Sequence, residues 1–171
     1  ELSVTFDAGN DFADFFKDVF PKALDIIKSI AEGRIKPAIT IETVVHAPIE
    51  KVWDSWTQPE HVMKWNQASE DWHTTKATND LTIGGKFLSR MEARDGSFGF
   101  DFEGEYVDLK THELISYKLP DDRHVKTIFT TTEEGVHIAE TFDVEGQNPR
   151  SMQRMGWQAI LDSFKKYTEA L

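Results

Sequence analysis

Alternating hydrophobic and polar residues occupy the middle of the chain and predict a series of β-strands. The alternating segments follow one another from residue 71 to residue 145, and short turn sequences such as Asp95-Gly96 separate them. A similar segment containing Ile39 and Ile41 precedes them. Short strands joined by tight turns form antiparallel meanders. We therefore predict a seven-stranded antiparallel sheet, whose later strands span residues 71–78, 85–94, 97–107, 113–119, 123–132 and 135–145.

A long amphipathic helix is predicted over residues 148–171. Asn148 is a suitable N-cap, and Pro149 fits the first turn, where its missing N–H costs nothing. Gly156 interrupts this helix at a cost of roughly 1 kcal/mol relative to alanine, so we expect close packing or free space beside it. Hydrophobic residues at three- and four-residue spacing form one side of the helix, and these are Trp157, Ile160, Leu161, Phe164 and Leu171.

Two short helices are predicted after the first strand. Pro48 begins the first helix, in which hydrophobic residues follow helical spacing, and Pro59 begins the second, which contains Val62 and Trp65. Helices and strands thus occupy separate parts of the sequence, which is typical of the α+β class. We predict a curved sheet that wraps around the C-terminal helix, with the two short helices closing one end.

A different pattern occupies the first part of the chain and predicts an extra N-terminal helical segment. Hydrophobic residues follow helical spacing over 12–30. Because a proline inside a helix removes a hydrogen bond and clashes with the preceding turn, we predict that Pro21 divides this helix into pieces at 11–19 and 21–32, ended by Gly33.

The predicted domain organisation is therefore a helical extension at 1–37 and a sheet-and-helix domain at 38–171. Three interpretations of the extension stay open. It is a helix docked on its own domain or on a symmetry mate, a lid or partner-binding helix, or an appended segment of separate origin. A homodimer is among the expected arrangements, because an exposed apolar surface is unfavourable on a monomer, and this surface comprises Phe12, Phe15, Phe16 and Phe20.

The composition excludes several classes of partner and site. A net charge of −11 argues against nucleic acid and anionic membranes. Cysteine is absent, which removes disulfides, thiol nucleophiles and cysteine-ligated metals. No apolar stretch reaches about 18 residues, so we expect no membrane insertion. These features fit a cytoplasmic protein, and because the 6 histidines show no metal-ligand spacing, we expect neither a metal nor a cofactor.

Several short motifs together resemble those of START-like, helix-grip domains. They include Ala47-Pro48-Ile49-Glu50-Lys51-Val52-Trp53-Asp54, Gly84-Gly85-Lys86-Phe87 and Gly156-Trp157-Gln158-Ala159-Ile160-Leu161. Residues 38–171 are similar to the bacterial branch named after the activator of the heat-shock protein 90 ATPase, and the resemblance does not cover residues 1–37. It implies a helix-grip fold with a cavity that binds lipids, sterols, polyketides or other apolar molecules. Some members of the class are cyclases or hydrolases. The name of the branch suggests, as a further alternative, that the protein is a stress-response or chaperone-associated interaction protein.

Glu140 is the residue that says most about chemistry. It lies in a strand where alternation directs its carboxylate towards the interior. A buried carboxylate must be paired, hydrogen-bonded, protonated or hydrated. Two interpretations stay open. In the first, Glu140 is a structural group bonded to an indole N–H or to His73. In the second, it anchors a ligand or acts as a general base. In the enzyme alternative, a cyclase or hydrolase uses Glu140 together with His73 or Asp101.

The 12 Phe and 5 Trp residues predict either a ring-rich core or the wall of a cavity for a flat apolar ligand. No nucleophile motif occurs in the sequence. We therefore expect a small-molecule binding domain without established catalysis, which holds a hydrophobic ligand between the sheet and the C-terminal helix. The expected ligand-binding residues are Trp53, Trp56, Trp72, His73, Phe87, Met91, Phe100, Phe102, Tyr117, Phe129, Glu140, Phe142, Trp157 and Leu161.

Overall fold

The computed structural model describes residues 13–32 and 36–171, and it divides the chain into two units, Glu1–Pro37 and Ala38–Leu171. In the first unit, helix α1 spans Ala13–Ala31 and contains Pro21. The predicted break at this proline is therefore wrong. Proline removes one backbone donor, but the hydrogen bonds of the turns before and after it continue the helix.

Other predictions for the first unit fall on parts of the chain that the structure does not describe. They are the start of the helix at residue 11 and its end at Gly33. The side chains of Phe12, Phe15 and Phe16 also lie outside the described residues, so the expected dimer surface stays a prediction.

The second unit is an α+β domain whose elements follow the predicted order. Strand β1 (Ala38–Val45) leads into two short helices, α2 (Ile49–Thr57) and α3 (Pro59–Trp65). The long helix α4 (Arg150–Ala170) ends the unit. Between them lie the remaining strands, β2 (Trp72–Asn79), β3 (Lys86–Ala93), β4 (Gly99–Lys110), β5 (Leu114–Lys118), β6 (His124–Thr132) and β7 (Gly135–Asp143).

The strands form one seven-stranded antiparallel sheet in the order β1-β7-β6-β5-β4-β3-β2. The first strand therefore pairs with the last, and β1 and β2 occupy the two edges. Inward-facing residues align across neighbouring strands, as along Phe142, Val125, Tyr117 and Tyr106. The pairing register shifts after Thr74 in β2, and an irregularity of this kind increases local twist. The sheet is curved, and the core lies on its concave face.

Helix α4 packs into this concave face, as the predicted helix-grip fold requires. Its residues Leu161 and Phe164 are almost completely buried, as the helical spacing predicts. Leu171 is an exception, since it follows the helix and is 57% exposed. The buried position near that end belongs to Thr168, one turn earlier, because the helix stops before its apolar side could reach Leu171.

The start of α4 also differs from the prediction. Its N-cap is Pro149, and no side chain caps the first turn. The Asn148 amide instead donates a hydrogen bond to Glu145 Oε1 at 2.7 Å. Asn148 lies one residue before the cap position, because the N–H groups of Met152 and Gln153 donate to the carbonyl oxygen of Pro149 and begin the helix there.

Candidate ligand-binding site

A cavity of about 500 Å³ lies between the concave face of the sheet and the N-terminal half of α4. Helices α2 and α3 contribute to its wall through Trp56, Val62 and Trp65. This volume lies within the range of sites that hold small-molecule ligands. Most of the predicted ligand-binding residues line the cavity: Trp56, Phe87, Met91, Phe100, Phe102, Tyr117, Glu140, Trp157 and Leu161.

Aromatic rings contact one another around the cavity and join the sheet to the helix. Phe87 and Tyr117 meet edge-to-face with 4.8 Å between ring centroids. Phe102 contacts Phe87 at 5.8 Å and Trp157 at 5.9 Å. Because Trp157 belongs to α4 and the other rings belong to the sheet, these contacts hold the two walls together at distances where aromatic pairs attract each other.

Some of the predicted residues lie away from the cavity. Trp53 and Phe129 pack edge-to-face at 5.5 Å within the core, where Trp53 also contacts the ring of His112. Trp72 packs against Phe100 at 5.9 Å, and Phe100 is the member of this pair that reaches the cavity. Trp53, Phe129 and Trp72 therefore pack outside the lining of the cavity.

Gly156 and Trp157 are among the α4 residues that line the cavity. A Cβ atom added at Gly156 would meet no atom within 4 Å, so of the two expectations for this glycine, free space is the correct one. Trp157 stacks on Phe142 with 4.2 Å between centroids and 12° between planes. Phe142 is 1% exposed and lies outside the lining, because the indole covers it.

A chain of hydrogen bonds along one wall was not predicted. The Tyr106 hydroxyl donates to Asn79 Oδ1 at 2.8 Å, and Asn79 Nδ2 donates to the carbonyl oxygen of Thr57 at 2.6 Å. Tyr106 lies on the same face of β4 as Phe100 and Phe102, so the alternating pattern of the sequence could have predicted its inward position. Asn79 could not, because the register shift after Thr74 changes which residues of β2 face inwards.

Glu140 is buried, as the alternation along β7 predicts, and it faces the cavity. Its hydrogen-bond partner is neither an indole nor His73. The Thr127 hydroxyl on the neighbouring strand donates to Glu140 Oε1 at 3.2 Å. Burial raises the pKa of the carboxyl from 4.5 to about 7, and the hydrogen bond from Thr127 lowers it only partly. Near neutral pH, this side chain is therefore divided between the acid and the carboxylate.

Tyr117 lies near Glu140 on the same wall. Its pKa is raised well above 10, first by burial and next by the negative charge of Glu140. No described residue forms a hydrogen bond with the Tyr117 hydroxyl. Arg123 is the basic side chain among the lining residues, and its Nε donates to Asp121 Oδ2 at 2.7 Å. The guanidinium is thus already paired.

The loop before α4 completes the lining with polar groups that were not predicted. The buried Gln153 amide donates to the carbonyl oxygens of Glu145 and Asn148, at 3.0 and 2.7 Å. Backbone and side-chain N–H groups of this loop also donate to the Glu145 carboxylate and lower its pKa, those of Gln147 and Asn148 among them. Gln153 therefore fixes the loop beside the cavity, which helical spacing alone does not indicate.

The residues of the enzyme alternative do not converge. Glu140 is on β7, Asp101 on β4 and His73 on β2, and none of these strands are neighbours in the sheet. Asp101 faces away from the cavity and pairs with Arg90 at 3.3 Å. His73 Nδ1 lies 3.4 Å from Arg94 Nη1. The expected pairing of Glu140 with His73 or Asp101 is therefore absent, because alternation directs the neighbours of His73 and Asp101 inwards.

Two further observations concern the described residues alone. They contain no group of His, Asp and Glu side chains that could hold a metal ion. None of the helices among them is long and apolar enough to cross a membrane.

A curved antiparallel sheet that encloses a long C-terminal helix, with a cavity between the two, defines the helix-grip class of START-like domains. The model of one family, described as Activator of Hsp90 ATPase homolog 1-like protein, matches residues 46–169. The chain belongs to this family. Membership supports a domain of the ligand-binding type. No curated protein matches the chain.

Solved structures of bacterial proteins agree with this assignment. The AHSA1-like protein from Aeromonas hydrophila is 42% identical with a TM-score of 0.75, over 78% of this chain and 93% of that one. A protein from Cytophaga hutchinsonii is 53% identical with a TM-score of 0.68, over 77% and 92% of the two chains. A protein from Nitrosomonas europaea shares the fold at 17% identity, with a TM-score of 0.67 over 78% and 94%.

Proposed function

We propose that residues 38–171 bind a small hydrophobic molecule, of lipid, sterol or polyketide type, in the cavity between the sheet and α4. The free space beside Gly156 carries this proposal. Gly156 lies inside a helix, where alanine would be more stable by roughly 1 kcal/mol, and no neighbouring atom requires its small size. A ligand that enters this space would give the glycine a role that packing does not.

The lining also supports an apolar and flat ligand. The rings of Phe87, Phe102 and Trp157 form an apolar part of the lining, and polar side chains complete it. Ligand sites of proteins commonly combine such apolar walls with a small number of placed polar groups. Here the inward-facing polar groups of the sheet include Glu140, Tyr117 and Ser89.

Thermal unfolding in the presence of sterols, flavonoids, fatty acids and aromatic polyketides tests the proposal. A ligand at about 100 times its Kd should stabilise the domain by about 2.7 kcal/mol. Gly156→Trp places a large side chain in the cavity and should abolish this shift. Gly156→Ala is the matched control, because it removes the same glycine but leaves most of the space free.

The proposal fails in either of two ways. The first is that no compound of the panel raises the unfolding temperature of the wild-type protein. The second is that a compound stabilises the wild type and Gly156→Trp equally, since its site must then lie outside the cavity.

A further inference from the structure

The polar atoms around the cavity fall into two groups. Those of Tyr106, Asn79 and Gln153 are hydrogen-bonded within the protein. Those of Glu140, Tyr117 and Ser89 are not fully used. Glu140 accepts one hydrogen bond at Oε1, and no described residue bonds to the hydroxyls of Tyr117 and Ser89. Buried polar atoms are normally satisfied, so the second group is where a ligand would find hydrogen-bonding partners.

The sheet register places Glu140 and Tyr117 on the same wall of the cavity, on the two strands that flank β6. Glu140 pairs with Thr127 on β6, and Tyr117 pairs with Val125 on the same strand. Glu140 on β7 and Tyr117 on β5 therefore lie on opposite sides of β6. Their partners on β6, Thr127 and Val125, are successive inward-facing residues of that strand. The effect of the Glu140 charge on the pKa of Tyr117 agrees with this proximity. A single polar group of a ligand could contact both.

No positive charge of the described residues compensates Glu140. It forms no ion pair with them, and Arg123 is engaged by Asp121. The neighbouring strand β1 places the apolar Ile41 opposite Glu140, and α4 places uncharged residues there. The other titratable groups of the cavity lining are Tyr117 on β5, Tyr106 on β4, Arg123 before β6 and Glu145 in the loop before α4.

We propose that Glu140, in its protonated form, and the Tyr117 hydroxyl together donate hydrogen bonds to one uncharged oxygen acceptor, such as a carbonyl group, of an otherwise apolar ligand. This inference rests on the proposed function and names the chemistry of its ligand. A protonated carboxyl and a phenol are both O–H donors, and a carbonyl oxygen has two lone pairs to receive them. A ligand carboxylate is disfavoured, because burying its charge among apolar rings is costly and the Nε of Arg123 is already bonded to Asp121.

The pKa of about 7 for Glu140 supports the protonated form at neutral pH and below. It also identifies the competing hypothesis, in which the carboxylate form binds an organic cation among the aromatic rings. The two hypotheses predict opposite effects of pH on affinity. A neutral acceptor binds the acid and loses affinity as pH rises, whereas a cation binds the carboxylate and gains affinity.

Two fluorescent dyes with the same ring system separate the hypotheses. Nile red is uncharged and ends in a ring carbonyl, while Nile blue carries a cationic iminium group at that position. If only the acid form of Glu140 binds Nile red, its Kd should be about 30-fold weaker at about pH 8.5 than at about pH 6, from the fraction protonated at each pH. Nile blue should bind more weakly than Nile red at the lower pH.

Conservative variants assign the effect to these side chains. Glu140→Gln retains an N–H donor of the same shape, so Nile red should bind it with similar affinity at both pH values. Tyr117→Phe removes one neutral hydrogen bond and should weaken Nile red by about 3- to 10-fold. Asp101→Asn is the matched control, because this carboxylate lies outside the cavity beside Arg90 and its loss should leave the wild-type pH profile unchanged.

The outcomes distinguish failure of the inference from failure of the proposed function. Binding of Nile red that is blocked by Gly156→Trp, but is indifferent to pH and to Tyr117→Phe, overturns the inference and retains the cavity as a site. Tighter binding of Nile blue that increases with pH and is lost in Glu140→Gln replaces the neutral acceptor with a cation. If Nile red binds neither the wild type nor any variant, the inference falls, whereas the thermal panel decides the proposed function.

Discussion

The buried carboxyl of Glu140 should make the folded domain less stable as pH rises. Its pKa is about 7 in the folded state, against an ordinary value of 4.5 that represents the unfolded chain. Below 4.5 both states are protonated, so the group has no effect. Between 4.5 and 7 the unfolded chain loses this proton first, so the free energy of unfolding falls with rising pH. Above 7 the loss is complete and amounts to about 3 kcal/mol.

Urea unfolding of the wild type and Glu140→Gln at about pH 5 and about pH 8 measures this effect. The amide cannot ionise, so the variant lacks the pH-dependent loss. We expect the advantage of the variant over the wild type to grow by about 2.5 kcal/mol between the two pH values. For a protein of this size, each kcal/mol corresponds to a shift of about 2–4 °C in the unfolding temperature.

The comparison between two pH values isolates ionisation from the other effects of the substitution. Any change in the hydrogen bond from Thr127 or in packing contributes at both values and cancels in the difference. Asp101→Asn provides the control for a general change in charge, because Asp101 is exposed and its surface ion pair contributes little. Parallel pH profiles for the wild type and Glu140→Gln would refute the conclusion that this carboxyl is buried without compensation.

Two further predictions concern the stability of α4 and use the same urea assay. Gly156→Ala should raise the free energy of unfolding by about 0.5–1 kcal/mol, because alanine favours the helix and meets no atom there. A destabilised variant would show that the space beside residue 156 is not free. Leu161→Ala should lower the free energy of unfolding by about 2–5 kcal/mol, because this side chain is 1% exposed. Met155→Ala is the control at a 67% exposed position of the same helix, and it should change stability by less than about 0.5 kcal/mol. Equal effects at positions 161 and 155 would contradict the packing of α4.

The strands and the long helix could be predicted from the sequence because their signals are local. In β7, every second residue from Val136 to Phe142 is buried, and the alternation that shows this is present in the sequence itself. The same reasoning placed Glu140 on the inner face. Only the fold could show that its neighbour is Thr127, since the pairing of β6 with β7 sets that contact.

The predictions that failed depend on information that no local pattern contains. One shift of register in β2 brings Asn79 to the cavity and shows why periodicity did not find it. The position of β2 at an edge of the sheet separates His73 from Glu140, although both residues appear suited to an acid–base pair in the sequence. Helix α1 continues past Pro21 because one lost hydrogen bond does not outweigh the rest of a 19-residue helix.

Glu140 and Gly156 both contradict the local rules for the elements that contain them, and both face the same cavity. The uncompensated carboxyl of Glu140 lowers the stability of the domain from the sheet, and Gly156 lowers the stability of α4 by roughly 1 kcal/mol. Independent violations that meet at one place are expected at functional sites, where stability is sacrificed for another property. A carbonyl ligand that accepts a hydrogen bond from Glu140 would stabilise its protonated form further. Binding of the ligand and protonation of Glu140 would then favour each other. Above the pKa of Glu140 in the ligand-free protein, the ligand would therefore enter the cavity together with a proton.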